Sequence, residues 1–153
     1  MISVNVFSEE KAWSKRLKNK DLFFKKVCKS FPKKYKFLNK KVYFNLLLSN
    51  NRNIKKLNKI FRNKNKSTDI LSFPSNKKIK ISKITFLGDI IISYNYLDKP
   101  KSQDIRSFKE KVIKIFIHGF LHLLGFDHIK NNDHSKMIKE EDLLYKLVKL
   151  KID

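Results

Sequence analysis

Two short stretches of this 153-residue chain alternate at strand spacing, two more read as short strands, and segments apolar at helical spacing lie between and after them. That alternation constrains the fold to a small sheet with helices packed on it. Residues 2–7 place Ile2, Val4 and Val6 on one side, and Val42, Phe44, Leu46 and Leu48 repeat the pattern. TDILSFP (68–74) reads as a short strand stopped by Pro74. ITFLGDIIIS (84–93) reads as a fourth, with Gly88 marking a bulge or a close backbone approach. Apolar positions from Ala12 and Trp13 to Phe31 suit one helix or two short ones ending before Pro32, with Ser8, Glu9 and Glu10 as the start signal. Ile54, Leu57, Ile60 and Phe61 give a further helix whose other face is lysine and asparagine. Asp104 can cap a long helix through Val112, Ile113, Phe116, Ile117 and Leu121, which Gly125 ends. A last amphipathic helix starts at Asn132 or Asp133 and carries Met137, Leu143, Leu144 and Leu147, while residues 75–83 form the main loop. The order β-α-β-α-β-β-α-α predicts an α+β fold. We expect a small mixed four-stranded sheet packed with about five helices, in a single domain over residues 1–153.

Composition narrows the function classes. A chain of this length buries about 70% of its unfolded surface, enough for a real core without metal or disulfide staples. Apolar residues at 41% exclude disorder despite the heavy charge. No apolar run approaches the ~20 residues a bilayer span needs, and MISVNVFSEE lacks the basic and apolar regions of an export signal. Cys28 is the only cysteine, so no internal disulfide forms, which suits a reducing cytoplasm. The net charge of +22 fits a polyanionic partner such as RNA. It equally fits the lysine, asparagine and isoleucine bias of AT-rich coding, because the lysines are spread over every segment. The charge supports a function without choosing one.

Three of the chain's four histidines fall in HGFLHLLGFDH, residues 118–128. His118 and His122 are four apart on a helix, so both imidazoles sit on one face and can reach one ion. Gly125 stops the helix and lets the chain reverse, which can bring His128 to the same point. Three neutral nitrogens leave a tetrahedral metal with an open position, the pattern of a catalytic zinc. A structural zinc would normally take a fourth ligand, usually cysteine, and Cys28 lies ninety residues upstream. A chance grouping of core or surface histidines accounts for this spacing poorly. His134 lies in a polar helix-start context and reads as a surface residue. Zinc proteases share part of the pattern, but they need a glutamate beside the first histidine as general base. Here that position is Gly119, so a protease is disfavoured.

These residues resemble the H-G-x-L-H-L-x-G-[YF]-D-H signature of the YbeY family of bacterial rRNA maturation factors. LNKIFRNKNKSTDILSFP (57–74) is similar to a second block of that family, LGDIIIS (87–93) to a third, and Met137 and Glu141 fit its closing helix. The three blocks occur in the family's order across most of residues 42–147. The resemblance implies one Zn²⁺ per chain held by His118, His122 and His128, with Arg62 near the metal and acting on the RNA. It implies a zinc-dependent, single-strand-directed endoribonuclease of the cytoplasm, acting in 16S rRNA maturation and ribosome quality control. Its expected partners are single-stranded rRNA, small-subunit ribosomal proteins and an assembly GTPase. A non-catalytic rRNA-binding assembly factor with a structural zinc is the alternative. The sequence departs from the family at Asn63 and Asn65, often glycine and aspartate there, and at Ser49 and Asn50, which replace a common acidic pair.

Asp127 has two readings, a carboxylate that orients a metal-bound histidine or a cap on the turn after Gly125. No general base is evident. Attack by metal-activated water and attack by the substrate's own 2′-hydroxyl both stay open.

Overall fold

The computed structural model describes residues 1–152. The strands are β1 (Ile2–Ser8), β2 (Lys41–Ser49), β3 (Ile70–Pro74) and β4 (Ile84–Ser93). The helices are α1 (Trp13–Arg16), α2 (Lys20–Lys29), α3 (Asn51–Arg62), α4 (Tyr94–Leu97), α5 (Ile105–Leu123) and α6 (Asn131–Ile152), with a 3-10 turn at Lys33–Tyr35. The fold is α+β, as the element order predicts. The first helical segment forms two short helices, one of its two expected forms, and a single-turn helix after β4 brings the total to six against about five expected. Asn19 makes the split: its side chain accepts the Leu22 N–H and starts α2. The start signal at Ser8 is corrected. Ser8 pairs with Leu48 as the last residue of β1, and the Glu10 carboxylate accepts the Ala12 N–H just ahead of α1.

The sheet order is β1-β2-β4-β3, parallel across the first two pairings and antiparallel between β4 and β3. Parallel strands need crossovers, so α1 and α2 bridge β1 to β2. Every second strand residue faces the main core: Phe44, Leu46 and Leu48 of β2 with Ile90 and Ile92 of β4, all fully buried. Against them pack Trp13, Phe24, Phe31, Phe116 and Phe120, with Phe44 and Phe116 ring centroids 5.7 Å apart. The residues between face the other way. There Leu71 and Ile91 pack on Ile54 of α3, making a smaller second core. Cys28 lies inside the main core, and burial pushes its thiol up to about 12.

Gly88 is both a bulge and a close approach. Tyr43 pairs with Phe86 but Asn45 pairs with Asp89, so β4 carries one extra residue opposite β2. The extra residue is accommodated at φ +134°, and a Cβ there would sit 2.1 Å from the Phe73 carbonyl oxygen. We predict that Gly88→Ala costs at least about 2 kcal/mol through strain and main-chain overlap. That corresponds to a melting temperature lower by about 4–8 °C at this length, read by calorimetry.

Candidate metal centre

Helix α5 begins where Asp104 accepts the Ser107 N–H at 2.7 Å and ends in a tight reversal. The Gly125 N–H donates to the His122 carbonyl and the Phe126 N–H to the Leu121 carbonyl, both at 3.0 Å, with Gly125 at φ +96°. This pair of bonds is the Schellman stop, and glycine is favoured at its left-handed position. The reversal carries His128 back beside the last turns of α5. The imidazole centroids then lie 4.6 Å (His118–His122), 5.0 Å (His122–His128) and 5.7 Å (His118–His128) apart. One ring nitrogen from each of the three falls within 4.8 Å of the others, a grouping that could hold a metal ion.

The outer nitrogens of two of these rings are tied down. His122 Nδ1 lies 2.9 Å from the Phe126 carbonyl, and His118 Nδ1 lies 3.1 Å from Glu141 Oε1 on α6. Carbonyl and carboxylate oxygens only accept, so in the neutral rings each Nδ1 carries the hydrogen and each Nε2 keeps a lone pair. Those two Nε2 atoms face one another at 3.1 Å. Two acceptors in that position repel unless a cation or a proton lies between them. The donor set therefore fits a metal.

A cleft of about 540 Å³ opens onto the cluster, lined by His118, His122, His128, Arg62, Asp69, Ser72, Asp127 and Lys77, among others. Arg62 ends α3, and its guanidinium donates to the Ser72 carbonyl at 3.1 Å while lying 5.7 Å from the Phe73 ring centroid. The fold thus brings Arg62 to the same cleft as three histidines more than fifty residues away. Asn63, the next residue, takes φ 54°, a left-handed conformation that asparagine tolerates better than most side chains where glycine is absent. Ser49 and Asn50 lie away from the cleft. Asn50 caps α3 by accepting the Asn53 N–H, and the Ser49 hydroxyl donates to Glu9.

Asp127 Oδ1 accepts the His128 main-chain N–H at 2.7 Å, which is a turn contact, and the carboxylate oxygen within bonding distance of a histidine ring belongs to Glu141. His134 is exposed on α6. Gly119 faces the sheet, where a Cβ would meet Ile70 Cδ1 at 2.7 Å and Ile90 Cγ2 at 3.1 Å. A glutamate there would run into the Ile70 and Ile90 side chains of β3 and β4, so the protease's base is sterically disfavoured at this position.

A family model described as Endoribonuclease YbeY matches residues 5–149. The chain belongs to the YbeY family. An "Endoribonuclease YbeY" of Pelagibacter ubique is 60% identical over 152 residues, covering 99% of each chain. Another, from Buchnera aphidicola, is 39% identical over 80% of this chain and 77% of its own. A solution structure from Thermotoga maritima superposes with a TM-score of 0.58 at 24% identity, covering 97% of this chain and 89% of that one, and supports the fold alone.

Glu141 is the residue of this YbeY site to which sequence reasoning gave no role, although a signal existed. Met137, Leu144 and Val148 form the buried stripe of α6, and Glu141 falls in that stripe. A carboxylate there requires a partner.

Burial holds His122 below the ordinary imidazole range, the neighbouring His118 pushes the same way, and the bond to Phe126 opposes them. A depressed folded value means that the unfolded chain takes up the proton first. The group's contribution is complete above about pH 6.5 and is lost as pH falls toward the folded value. Metal-free protein is therefore expected to lose melting temperature as pH is lowered from neutral through that window. His122→Gln should flatten this part of the profile in thermal melts.

Proposed function

We propose that this YbeY-family chain is a zinc-dependent endoribonuclease that cleaves single-stranded rRNA during 16S maturation and ribosome quality control in the cytoplasm. Family membership supports the RNA-cleaving hydrolase. The observation that supports metal-dependent chemistry is the meeting of three histidines and Arg62 in one open cleft. Two nitrogens bound to a tetrahedral zinc at 2.0–2.1 Å stand about 3.3 Å apart. The His118 and His122 Nε2 atoms, at 3.1 Å, are close to that spacing. All-nitrogen donors and an open fourth direction suit a catalytic zinc. When bound, such an ion supplies Lewis-acid polarisation of a phosphoryl oxygen and water activation near neutral pH.

The chain's own groups do the rest. Arg62 presents a planar guanidinium at the mouth of the cleft, already oriented by the Ser72 carbonyl and the Phe73 ring. There it can take a phosphate through two parallel N–H bonds and favour the extra negative charge of the transition state. Lys77, also lining the cleft, adds a charge that attracts the backbone without reading sequence. Small-subunit ribosomal proteins and an assembly GTPase are the partners this reading includes. No helix among the described residues is long and apolar enough to cross a membrane.

Purified protein is expected to hold about one zinc per chain, and His122→Ala to lose most of it by elemental analysis. On a single-stranded rRNA fragment, His122→Ala should bind nearly as wild type yet not cut. Binding without cutting by wild type as well would leave the rRNA-binding assembly factor with a structural zinc.

Arg62→Ala should slow single-turnover cleavage by ~10²–10³ with zinc content and RNA affinity little changed. Arg62→Lys should rescue poorly, because an ammonium keeps the charge and loses the fork. Full rescue by lysine would remove Arg62 from the chemistry.

A further inference from the structure

We propose that Glu141 is a positioning residue of the histidine cluster, reaching from α6 to fix the His118 tautomer and aim its Nε2 at the cleft. The inference rests on the metal reading above and concerns a residue outside the three-histidine motif. Helix α6 buries one stripe, with Met137 at 1% exposure and Leu144 and Val148 at zero. Glu141 occupies the same stripe, four residues after Met137 and three before Leu144. A half-buried carboxylate in an apolar row is unfavourable unless it is bonded. Its bond is to His118 Nδ1 at 3.1 Å, twenty-three residues away and on another helix.

The consequence for the ring is chemical. An ionised carboxylate has no hydrogen to give, so His118 must donate from Nδ1. The neutral ring is then left with its lone pair on Nε2, the atom that faces His122. His122 reaches the same state by a different route, through the Phe126 carbonyl in the turn that ends its own helix. One ligand is therefore oriented locally and the other by tertiary docking of α6. Losing such a carboxylate behind a ligating imidazole weakens metal binding about 10- to 100-fold. An ordinary ion pair with a protonated His118 predicts the reverse, a ring that has no free lone pair and holds metal no better for its neighbour.

The test uses nitrogen-15-labelled full chain and needs no activity. In metal-free wild type at about pH 8, above the imidazole range, His118 should appear as the Nδ1–H tautomer in long-range proton–nitrogen spectra. Glu141→Ala should mix the two tautomers and weaken zinc, titrated against a chromophoric chelator, by about 10- to 100-fold. Glu141→Gln keeps an accepting carbonyl, so it should keep the tautomer and fall between wild type and alanine in affinity. An Nε2–H tautomer in wild type would overturn the proposal without any variant, which covers the case in which Glu141→Ala fails to fold. Unchanged zinc affinity in a folded Glu141→Ala protein would overturn it too. His122→Ala runs alongside as the control. If that protein retains full zinc affinity, the metal reading itself has failed, and the two failures are distinguished.

Discussion

The closeness of α5 to the sheet governs everything at the site. Phe116 and Phe120, one turn apart, both pack on Phe44 of the central strand β2, and Phe120 also meets Phe31 at 4.9 Å. The same helix has no side chain at Gly119, where β3 and β4 come nearest. Aromatic bulk on one flank and a bare backbone on the other fix both the depth and the rotation of α5. With those set, His118 and His122 line the cleft together with Ile70 and Ser72 of β3. Packing at interior density leaves little room for alternatives, so a purely hydrophobic contact decides where the polar chemistry stands.

The edge strand serves twice. An outer strand leaves N–H and C=O groups unpaired and open to other chains. Here Pro74 ends β3 and Arg62 takes the Ser72 carbonyl, so the residue that closes the edge is also the cation at the cleft. The Ser72 hydroxyl reaches the Gly119 carbonyl at 3.5 Å on the opposite side. Helix α3, the edge strand and α5 are thus joined across one residue, and they carry Arg62 and two of the histidines.

Acidic groups are scarce in this chain, 14 against 36 basic ones, and several of them make long-range ties. Asp98 pairs with Arg16 at 3.2 Å and Glu140 with Lys34 at 2.8 Å, contacts that join distant segments. Glu141 does the same for His118. With lysines in large surplus, the few anionic side chains make the specific long-range contacts.

What the sequence determined alone was whatever depends on neighbours within a turn or two. Period-two alternation located β1 and β2, short apolar runs stopped by Pro74 and by the loop at residues 75–83 located β3 and β4, Asp104 and Gly125 bounded α5, and the four-residue spacing put His118 and His122 on one face. The same local logic failed at Ser8, because a strand partner, Leu48, claims its backbone before a helix can. Tertiary structure decided the sheet order and the place of Arg62, whose local pattern is that of any exposed residue at a helix end. It also decided the partner of Glu141. Local pattern gave that carboxylate no role, and only the docking of α6 on α5 brings it to His118. Hydrogen bonds inside a helix or turn are set by separations of three to five residues, which a sequence displays directly. Which faces meet is set by the shape and volume of side chains distant in the chain, and those become neighbours only when the core closes.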